Sequence, residues 1–544
     1  MKTVRRHVPF LIIGSGVAGC TAALTLADAG CDVLLLNAGD SLDDGNSALA
    51  QGGIIYRAAP KATDAPGADA RSLAHDILVA GHNHNYRRAV HWLCRRGPAC
   101  VEKMLIERCR VPFDANEDGA LDLTREGGHS APRIAHIADY SGKAIMDALT
   151  AQVLAHPRIT RLHRRAAIDL LTSHHHARDS QFRYGVDNRC LGAYVLNEES
   201  GEAETIIADR TILATGGVGR IFLHSTNSPG CVGSGISMAF RAGVALGNLE
   251  FMQFHPTAFY DDRKNRRPLI TEAMRGEGGR LLNDRGEPFM ARYDRRGDLA
   301  PRDIVARSMM EEMLRTGTPC LFLDASRIRH DLPTRFPTVF NQCRESGIDI
   351  RREPIPVVPA AHYFCGGILT DTRGRTSMRG LYAIGECACT GLHGANRLAS
   401  TSLLEALVWG MSCGEELARG RGHGIPAALA DAVPDWQDEG DEHADDPALV
   451  AQDWANIRNT MWNYVGISRT QARLRRAFED MRVLVRHIHD FYRRTRITRR
   501  LVDLFHGSQT AYVITQAAMR NPTSIGCHHR ADQAATGTNG GMNA

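Results

Sequence analysis

The sequence of 544 residues lacks the patterns that mark several common classes of protein. Its fourteen cysteines contain no CxxC pair, the closest two being Cys387 and Cys389, so neither a zinc-ribbon nor an iron–sulfur ligand run is present. Scattered cysteines in so long a chain indicate reduced, mostly buried thiols. The formal net charge is only +4, so the charge balance indicates neither a nucleic-acid binder nor an acidic scaffold.

Long apolar runs are also missing. The chain opens with basic residues followed by VPFLII, residues 8–13, a pattern that superficially resembles a secretion signal. That run is shorter than the ~7–15 apolar residues of a signal core, and no other segment approaches the ~18 that span a bilayer. We therefore expect a cytoplasmic protein without a membrane or nucleic-acid partner. No metal site is expected, since His174–His176 lie in a polar stretch typical of a surface loop.

Glycine, in contrast, is abundant, with 52 residues that cluster in short turns. The turn Gly14–Gly19 (GSGVAG) follows an apolar run, residues 10–13, and precedes an alanine-rich amphipathic stretch and a second apolar run, residues 31–37. A strand, a glycine-rich turn, a helix and a strand in this order are typical of a dinucleotide-binding unit. The glycines let the backbone approach a pyrophosphate, and the helix N-terminus supplies N–H donors.

The composition changes twice along the chain. Strand-and-glycine units also occur at 205–220 and 380–410, so strands from both ends of residues 1–433 must converge on one nucleotide. Between them, residues 249–363 are rich in polar side chains and predict an inserted domain that divides a nucleotide-binding domain into 1–248 and 364–433. Residues 434–544 begin with an acidic linker and continue as arginine-rich helices, for which a solvated bundle face, followed by a polar tail, is favoured over nucleic-acid binding.

A set of motifs resembles the fumarate reductase/succinate dehydrogenase flavoprotein superfamily, and most nearly its L-aspartate oxidase family. The motifs follow the order of that superfamily and are GSGVAG, AQGGI, LATGG, QFHPTAFY, TEAMRGEGG, APRDIVAR, VPAAHYFCGG, YAIGE and HGANRLASTSLLE. The resemblance implies an α/β FAD-binding Rossmann-like domain, an inserted α+β capping domain and a C-terminal helical bundle. It also implies oxidation of L-aspartate to iminoaspartate, with oxygen or fumarate as electron acceptor, as the first step of NAD synthesis. Transfer of iminoaspartate to quinolinate synthase is a further hypothesis.

The resemblance assigns roles to Arg302 and to five further residues around a small dicarboxylate. Arg302 matches the proton-transfer arginine, with Glu272 or Glu277 as its orienting partner, and a salt bridge to Asp303 is the alternative. The other five residues are expected to supply positive charge and hydrogen-bond donors to the two carboxylates of the substrate. These residues are His255, His362, Thr271, Arg397 and Ser400.

Glu126, in TREGGHS, is the residue that is expected to distinguish aspartate from a dicarboxylate without an amine, such as succinate. The dicarboxylate dehydrogenases typically have an apolar residue at this position, because succinate has no amine. A carboxylate can pair with the α-amino group of aspartate, and in a partly desolvated site such a bond is worth roughly 1.5–3 kcal/mol. The alternative is a solvated turn.

The cofactor contacts implied by the resemblance form a longer set, from which this chain departs in two places. The acid or lysine common at the end of the second strand is replaced by Asn37 and Ala38, and the aspartate of a GDG motif by Ser234. We therefore expect FAD to be held less tightly. The full set is Gly14, Ser15, Gly16, Val17, Ala18, Gly19, Asn37, Ala38, Asn46, Ser47, Ala48, Leu49, Ala50, Gln51, Gly52, Gly53, Ala167, Ser234, Glu386, Ser402 and Leu403.

Three functions remain open on the sequence alone. An L-aspartate oxidase is favoured by Glu126 over a fumarate reductase or succinate dehydrogenase subunit that would pass electrons to an iron–sulfur partner. A non-catalytic flavoprotein with a macromolecule-binding helical domain is disfavoured by the intact Arg302, His255, His362 and Arg397.

We predict that FAD is bound without a covalent link. Membrane-linked relatives attach the flavin to a histidine that aligns with Asn46, and an amide nitrogen is not nucleophilic because its lone pair is delocalised into the carbonyl. Acid or heat denaturation should therefore release all of the flavin, and dilution should release part of it. Denatured protein that stays yellow and fluorescent on a gel would contradict this prediction.

Overall fold

The computed structural model describes residues 4–58, 67–184, 187–263, 266–420, 424–437, 440 and 446–533. The strands within these ranges are β1 (Arg5–Ile13), β2 (Val33–Leu36), β3 (Ile54–Ile55), β4 (Leu123–Thr124), β5 (Ile134–Ala135), β6 (Ile159–Leu162), β7 (Arg165–Thr172), β8 (Cys190–Asn197), β9 (Glu202–Leu213), β10 (Leu246–Gly247), β11 (Met252–Phe259), β12 (Arg280–Leu282), β13 (Leu321–Asp324), β14 (Ile355–Phe364), β15 (Gly367–Leu369), β16 (Leu381–Ala383) and β17 (Ala388–Cys389).

The α-helices alternate with these strands at first and then follow them. They are α1 (Val17–Asp28), α2 (Ala68–Ala80), α3 (Arg87–Cys100), α4 (Ser141–Ala155), α5 (Ser173–His176), α6 (Ser180–Arg183), α7 (Ser234–Arg241), α8 (Glu272–Gly276), α9 (Arg302–Thr316), α10 (Leu332–Arg335), α11 (Pro337–Glu345), α12 (Thr401–Arg419), α13 (Ala427–Asp431), α14 (Pro447–Val465), α15 (Gln471–Arg494) and α16 (Arg499–Arg520). A π-helical segment, Val101–Arg108, continues α3, and Asn46–Leu49 and Gly385–Cys387 form 3-10 turns.

The central sheet has seven strands, in the order β6-β2-β1-β9-β8-β7 with β16 also on β9. Parallel pairing joins β6, β2, β1, β9 and β16, while β8 and β7 are added by antiparallel pairing. Ile13 at the end of β1 lies opposite Leu36 of β2 and Leu213 of β9, and Leu213 lies opposite Ala383 of β16. The carboxyl ends of these four strands therefore lie level with one another, although Ile13 and Ala383 are 370 residues apart in the sequence. The turns that follow them meet at one edge, as the glycine-rich motifs predicted.

A second sheet lies within the stretch that the sequence assigns to an insertion. Its four strands are antiparallel, in the order β11-β14-β13-β12, and helices α8 to α11 connect them. A separate apolar core forms here, and it includes Phe259, Phe289, Met309, Leu323 and Val357. The predicted α/β character and helical C-terminal part are observed, while the domain boundaries at 249 and 363 remain our proposal.

The three last helices, α14 to α16, pack on one another and against the central sheet. Buried apolar residues of α15, such as Leu474 and Met481, join the core that also contains Leu11 and Leu213 of the sheet. The segment after α16 returns to the nucleotide-binding part of the chain, where Cys527 N donates to Ala395 O at 2.9 Å. Its divergent sequence thus supports the loop that carries Arg397. Residues 534–544 of the expected polar tail, and most of the acidic linker, lie outside the described residues.

Several expectations about composition can be compared with the fold. All fourteen cysteines are free and thirteen are buried, as predicted. The surface-loop prediction for His174–His176 was wrong in part, since these residues form α5 and the ring of His176 packs edge-on against Tyr194 at 5.6 Å. In the part of the chain that the structure describes, we find no helix that combines the length and apolar character needed to cross a membrane.

Candidate active site

A cavity of about 820 Å³ runs from the carboxyl edge of the central sheet to β11 and β14. Every residue that the sequence assigned to the cofactor or the substrate lines it, with the exception of Gly19. A Cβ atom on Gly19 would lie 1.9 Å from Gly14 O, so this glycine lets α1 pack closely on the turn. Gly19 is thus placed for the packing role of the third glycine in such turns, while its direct contact with the cofactor stays a prediction.

The glycine-rich turn is shaped for a phosphate-bearing ligand. Gly14 adopts φ +112°, and a Cβ atom there would meet Ala214 O at 2.2 Å. Gly16 caps α1 without a side chain, so the first-turn N–H groups remain at the cavity wall, apart from Val17 N, which donates to Ser47 Oγ at 3.2 Å. Free donors at a helix N-terminus bind pyrophosphate. These residues therefore fit FAD.

Asn46 and Glu386 hold each other at the wall of the cavity. Asn46 Nδ2 donates to Glu386 Oε2 at 3.4 Å, and Asn46 Oδ1 accepts from Ser228 N at 2.8 Å. Phe364 N donates to Glu386 Oε1 at 3.0 Å. Burial raises the pKa of Glu386, and these hydrogen bonds lower it by a smaller amount, so that the pKa is about 7. Asn46 is thus fixed as a hydrogen-bonding residue beside an acid that titrates near neutrality.

The two departures from the family pattern are both accompanied by contacts from the C-terminal helix α16. Asn37 Nδ2 donates to Ser41 O at 2.5 Å within its own turn, and Arg499 Nη1 donates to Ala38 O at 2.5 Å. Thr510 Oγ1 donates to Gly233 O at 3.1 Å, directly before Ser234. The sequence did not reveal that α16 reaches the cavity, because the residues of α16 that line it do not form a recognisable motif.

The start of α12 forms the opposite wall. Ser400 adopts the left-handed conformation with φ +56°, which is unusual for a residue with a side chain, and its Oγ donates to Glu126 Oε2 at 2.7 Å. Because this hydroxyl does not cap α12, the first turn with Ser402 and Leu403 presents N–H groups at the cavity. Such a helix terminus favours negative charge on a bound ligand.

Arg397 is held from several sides. Its Nε donates to Gln253 Oε1 at 3.2 Å, its Nη1 donates to Ser402 Oγ at 3.0 Å, and its guanidinium lies 4.7 Å from the centroid of the Tyr363 ring. Tyr363 OH in turn donates to Glu405 Oε2 at 2.8 Å. Arg397 is only 6% exposed, so its charge is fixed in a site largely shielded from water. Such a guanidinium can bind a carboxylate through two parallel N–H bonds.

Arg302 is paired with Glu272, one of the two partners that the sequence left open. Arg302 Nε donates to Glu272 Oε2, and Arg275 Nη2 lies 3.5 Å from Glu272 Oε1. The other candidate, Glu277, binds Arg335, while Asp303 pairs with Arg307. Burial raises the pKa of Glu272, but the charges of Arg302 and Arg275 outweigh it and lower that pKa to about 2.

Arg302 has donor capacity left for a ligand. Its Nη1 atom is buried and has no hydrogen-bond partner among the residues that the structure describes. A buried guanidinium N–H without an acceptor is costly, so it indicates a group that binds there. Arg302 lines the cavity, which places this donor beside the space for a substrate.

The two histidines are neutral donors or acceptors. Their ring centroids lie 5.3 Å apart. Burial is the largest cause that lowers the pKa of each histidine well below its ordinary value, and the positive charges of nearby arginines lower it further. His255 Nδ1 is 3.1 Å from Thr257 O, and His362 Nδ1 is 3.0 Å from Thr226 Oγ1. Nε2 is therefore the ring atom left for a ligand in both. Thr271 accepts from Ala273 N at 3.4 Å and keeps its hydroxyl proton for a further bond.

Glu126 is not a solvated turn residue. Its carboxylate accepts from Ser400 and lies so close to Gly52 that a Cβ atom there would be 2.1 Å from Oε1. His129 N donates to Glu126 O at 3.2 Å and closes the turn, and the second glycine of the pair, Gly128, adopts φ +86°. The turn thus carries the carboxylate into the cavity that also contains Arg302 and Arg397.

The second sheet is tied to the nucleotide-binding part by a carboxylate that the sequence did not reveal. Asp139 accepts from Thr338 N at 3.1 and 3.2 Å, from Thr338 Oγ1 at 2.7 Å and from Val339 N at 3.3 Å. It therefore caps the N-terminus of α11 from a different part of the chain. Asp139 and Thr338 both line the cavity, so this cap closes one of its sides.

Comparison with known proteins agrees with this geometry. The family described as FAD binding domain matches residues 10–403, and these include the glycine-rich turn and the start of α12. An L-aspartate oxidase of Pseudomonas aeruginosa is 43% identical over 530 residues, which cover 96% of this chain and 95% of that protein. One of Yersinia pestis is 41% identical, with 98% and 97% covered.

Solved structures show the same fold. A mutant of FrdA from E. coli quinol fumarate reductase superposes with a TM-score of 0.83 at 28% identity, and covers 97% of this chain and 92% of its own. The Mycobacterium smegmatis Sdh1 in complex with UQ1 gives a TM-score of 0.79 at 27% identity, with 97% and 89% covered.

The fold and the cavity, together with the family match, define an FAD-dependent oxidoreductase of the fumarate reductase type. Within that class, the relatives that this chain resembles over nearly its whole length are L-aspartate oxidases. The chain belongs to the L-aspartate oxidase family, and the resemblance noted in the sequence is confirmed.

We predict that Glu386→Gln will alter the pH dependence of apoprotein stability. The pKa of Glu386 is raised from its ordinary value of 4.5 to about 7, so the native state binds the proton more tightly. Its contribution to stability is present at low pH and is lost as pH rises through that range. The apoprotein Tm of the wild type should therefore fall more steeply between pH 5 and pH 8 than that of the variant. Parallel Tm curves would contradict this.

Proposed function

We propose that this chain oxidises L-aspartate to iminoaspartate, with oxygen or fumarate as the electron acceptor, as the first step of NAD synthesis through quinolinate. The observation that carries the proposal is the Glu126 carboxylate in the same cavity as the guanidinium groups of Arg302 and Arg397. The flavin of bound FAD supplies a two-electron acceptor beside the substrate. In the reaction, the Cα hydrogen leaves aspartate together with two electrons. The amine loses one proton, and a C=N double bond forms.

The charges of the site suit aspartate. Arg302 and Arg397 line the cavity, and Arg275 pairs with Glu272 beside it. Counted with the carboxylates of Glu272 and Glu126, these three arginines leave a net charge of +1. L-aspartate carries two carboxylates and one ammonium, a net charge of −1. The carboxylates are bound by the arginines, the histidines and Thr271, and the ammonium lies at Glu126. A third carboxylate near Glu126 would be repelled.

Arg302 is the group that transfers the proton in this proposal. Arginine is a weak acid in water, with an ordinary pKa above ~12. Glu272 holds the guanidinium through Nε and leaves Nη1 without a hydrogen-bond partner among the described residues.

Fumarate reduction by the same site is supported by the solved relatives, one of which is a quinol fumarate reductase. Fumarate has the two carboxylates that the arginines require and no ammonium. We infer that it binds in the place of aspartate and accepts electrons there. A role as a subunit of a membrane-linked reductase is less well supported. The aspartate oxidases of P. aeruginosa and Y. pestis are 43% and 41% identical to this chain, whereas FrdA and Sdh1 are 28% and 27% identical.

Transfer of iminoaspartate to quinolinate synthase stays a hypothesis. An imine hydrolyses in water, so direct transfer would protect it. The solvent-exposed arginines of α15, which include Arg473, Arg475 and Arg482, form the candidate docking face.

We predict that Glu126→Gln will lower kcat/KM for L-aspartate by about ten- to a hundredfold. The amide keeps the shape and can still accept from Ser400, but it no longer offers a charge to the substrate ammonium. Fumarate reduction by the same variant should change far less, and it serves as the internal control. Equal losses in steady-state assays with the two substrates would show that Glu126 is structural.

We predict that Arg302→Leu will abolish turnover with both aspartate and fumarate while FAD stays bound. Proton transfer is common to the two directions, and the cofactor contacts lie in other motifs. Arg307→Leu is the matched control, because Arg307 lies on the same helix and pairs with Asp303 outside the cavity. Stopped-flow flavin reduction and fumarate-dependent reoxidation are the measurements. Substantial fumarate reduction by the Arg302 variant would exclude it from the proton path.

A further inference from the structure

The adenosine half of the cofactor has an identifiable place in the cavity. In a unit of this kind the glycine-rich turn after the first strand takes the pyrophosphate, and an acid at the end of the second strand binds a ribose hydroxyl. Here the second strand ends at Leu36 and is followed by Asn37 and Ala38, neither of which is an acid. The amide of Asn37 is moreover turned toward Ser41 O. The expected acceptor is therefore missing from β2.

Helix α16 supplies an acid at this place. Arg499 Nη1 donates to Ala38 O at 2.5 Å, which puts the start of α16 directly beside the end of β2. One turn later, Asp503 Oδ2 lies 2.8 Å from Arg499 Nε. A further turn on, His506 Nε2 lies 3.0 Å from Ala167 O. All three side chains line the cavity, so one face of α16 forms its wall over two turns.

The electrostatic balance leaves Asp503 short of a partner. Arg499 is shared between two carboxylates, since its Nη1 lies 2.7 Å from Glu198 Oε1. One guanidinium thus faces two negative charges. Burial raises the pKa of Asp503 to about 6 despite the charge of Arg499. A quarter of the Asp503 side chain is exposed, and it lines the cavity, so a hydroxyl donor from a ligand can complete its coordination.

Other acids near this end are less suitable. Asp44 Oδ2 accepts from Ser41 N at 2.8 Å and closes the turn after β2. Asp40 is 86% exposed and faces Arg164 at 3.7 Å. Asp503 is the deeply placed carboxylate of the three.

We propose that the carboxylate of Asp503, held in position by Arg499, binds the ribose hydroxyls of the adenosine half of FAD. The C-terminal helices then belong to the cofactor site, and FAD stabilises their docking on the central sheet, since a ligand stabilises the state that binds it. Asp503 takes the place of the acid that β2 lacks. This inference concerns FAD binding alone and does not depend on the proposed substrate.

The test is binding to apoprotein without turnover. FAD affinity is read from quenching of flavin fluorescence, and ADP and 2′,3′-dideoxy-ADP are measured by competition with FAD. Asp503→Asn should raise the Kd for FAD and for ADP about tenfold or more and leave that for dideoxy-ADP unchanged. Arg499→Gln should act in the same direction, because it releases the carboxylate.

A matched control lies on the neighbouring helix. Arg476 and Asp480 of α15 form the same i,i+4 pair, with Nε to Oδ2 at 2.9 Å, but the pair is exposed and does not line the cavity. Asp480→Asn should leave all three Kd values unchanged. The proposal is overturned if Asp503→Asn binds ADP as the wild type does, or if it weakens ADP and dideoxy-ADP equally, since the effect would then be structural.

A measurement on the wild type covers the case in which Asp503→Asn does not fold. Hydrogen exchange of residues 499–506 should slow when ADP is added and should slow much less with dideoxy-ADP at equal saturation. Equal protection by the two nucleotides would overturn the proposal. Because ADP lacks the flavin, this result does not depend on whether the protein oxidises aspartate.

Discussion

The register of the central sheet is the constraint on which the remaining structure depends. Hydrogen bonding sets Ile13 level with Leu36 and Leu213, and Leu213 level with Ala383. Four strand ends then deliver their following turns to one edge, and this edge holds Gly14, Asn37, Thr215 and Glu386 around the same cavity. A shift of one residue in any of these strands would move its turn by about 3.3 Å and reverse its side chains. The cofactor site would then lose one of its walls.

Concentrated positive charge is the second organising feature, and it lies at the other end of the cavity. Burial lowers the pKa of both Arg275 and Arg397, and the nearby positive charge of Arg302 lowers each of them further. Like charges in a partly desolvated site repel, and Glu272 offsets part of that repulsion by bridging Arg302 and Arg275. What remains is a site prepared for an anion. Glu126, held by Ser400 at the strained start of α12, adds a carboxylate to this site, and in our proposal that carboxylate pairs with the ammonium of the substrate.

The two ends of the cavity are connected through elements that serve both. Helix α12 contributes Ser402 and Leu403 to the cofactor region and Ser400 to Glu126, while the segment after α16 supports the loop of Arg397 through Ala395. The cap of α11 by Asp139 joins the second sheet to the same cavity. Cofactor binding, substrate binding and the packing of the C-terminal helices are therefore not independent properties of this chain.

The sequence by itself determined the parts of this protein that depend on local geometry. Gly14 must be glycine where φ is +112° and a carbonyl lies 2.2 Å from any Cβ, and the order of strand, turn and helix follows from apolar periodicity. Motifs of fixed spacing likewise marked Glu126, His255, Arg302 and Arg397. Only the tertiary structure decided that Glu272 and not Glu277 holds Arg302, that Gly19 is a packing residue, and that Arg499 and Asp503 reach the cavity. Such choices depend on which helix faces are brought together over hundreds of residues, and neither residue type nor spacing along the chain carries that information.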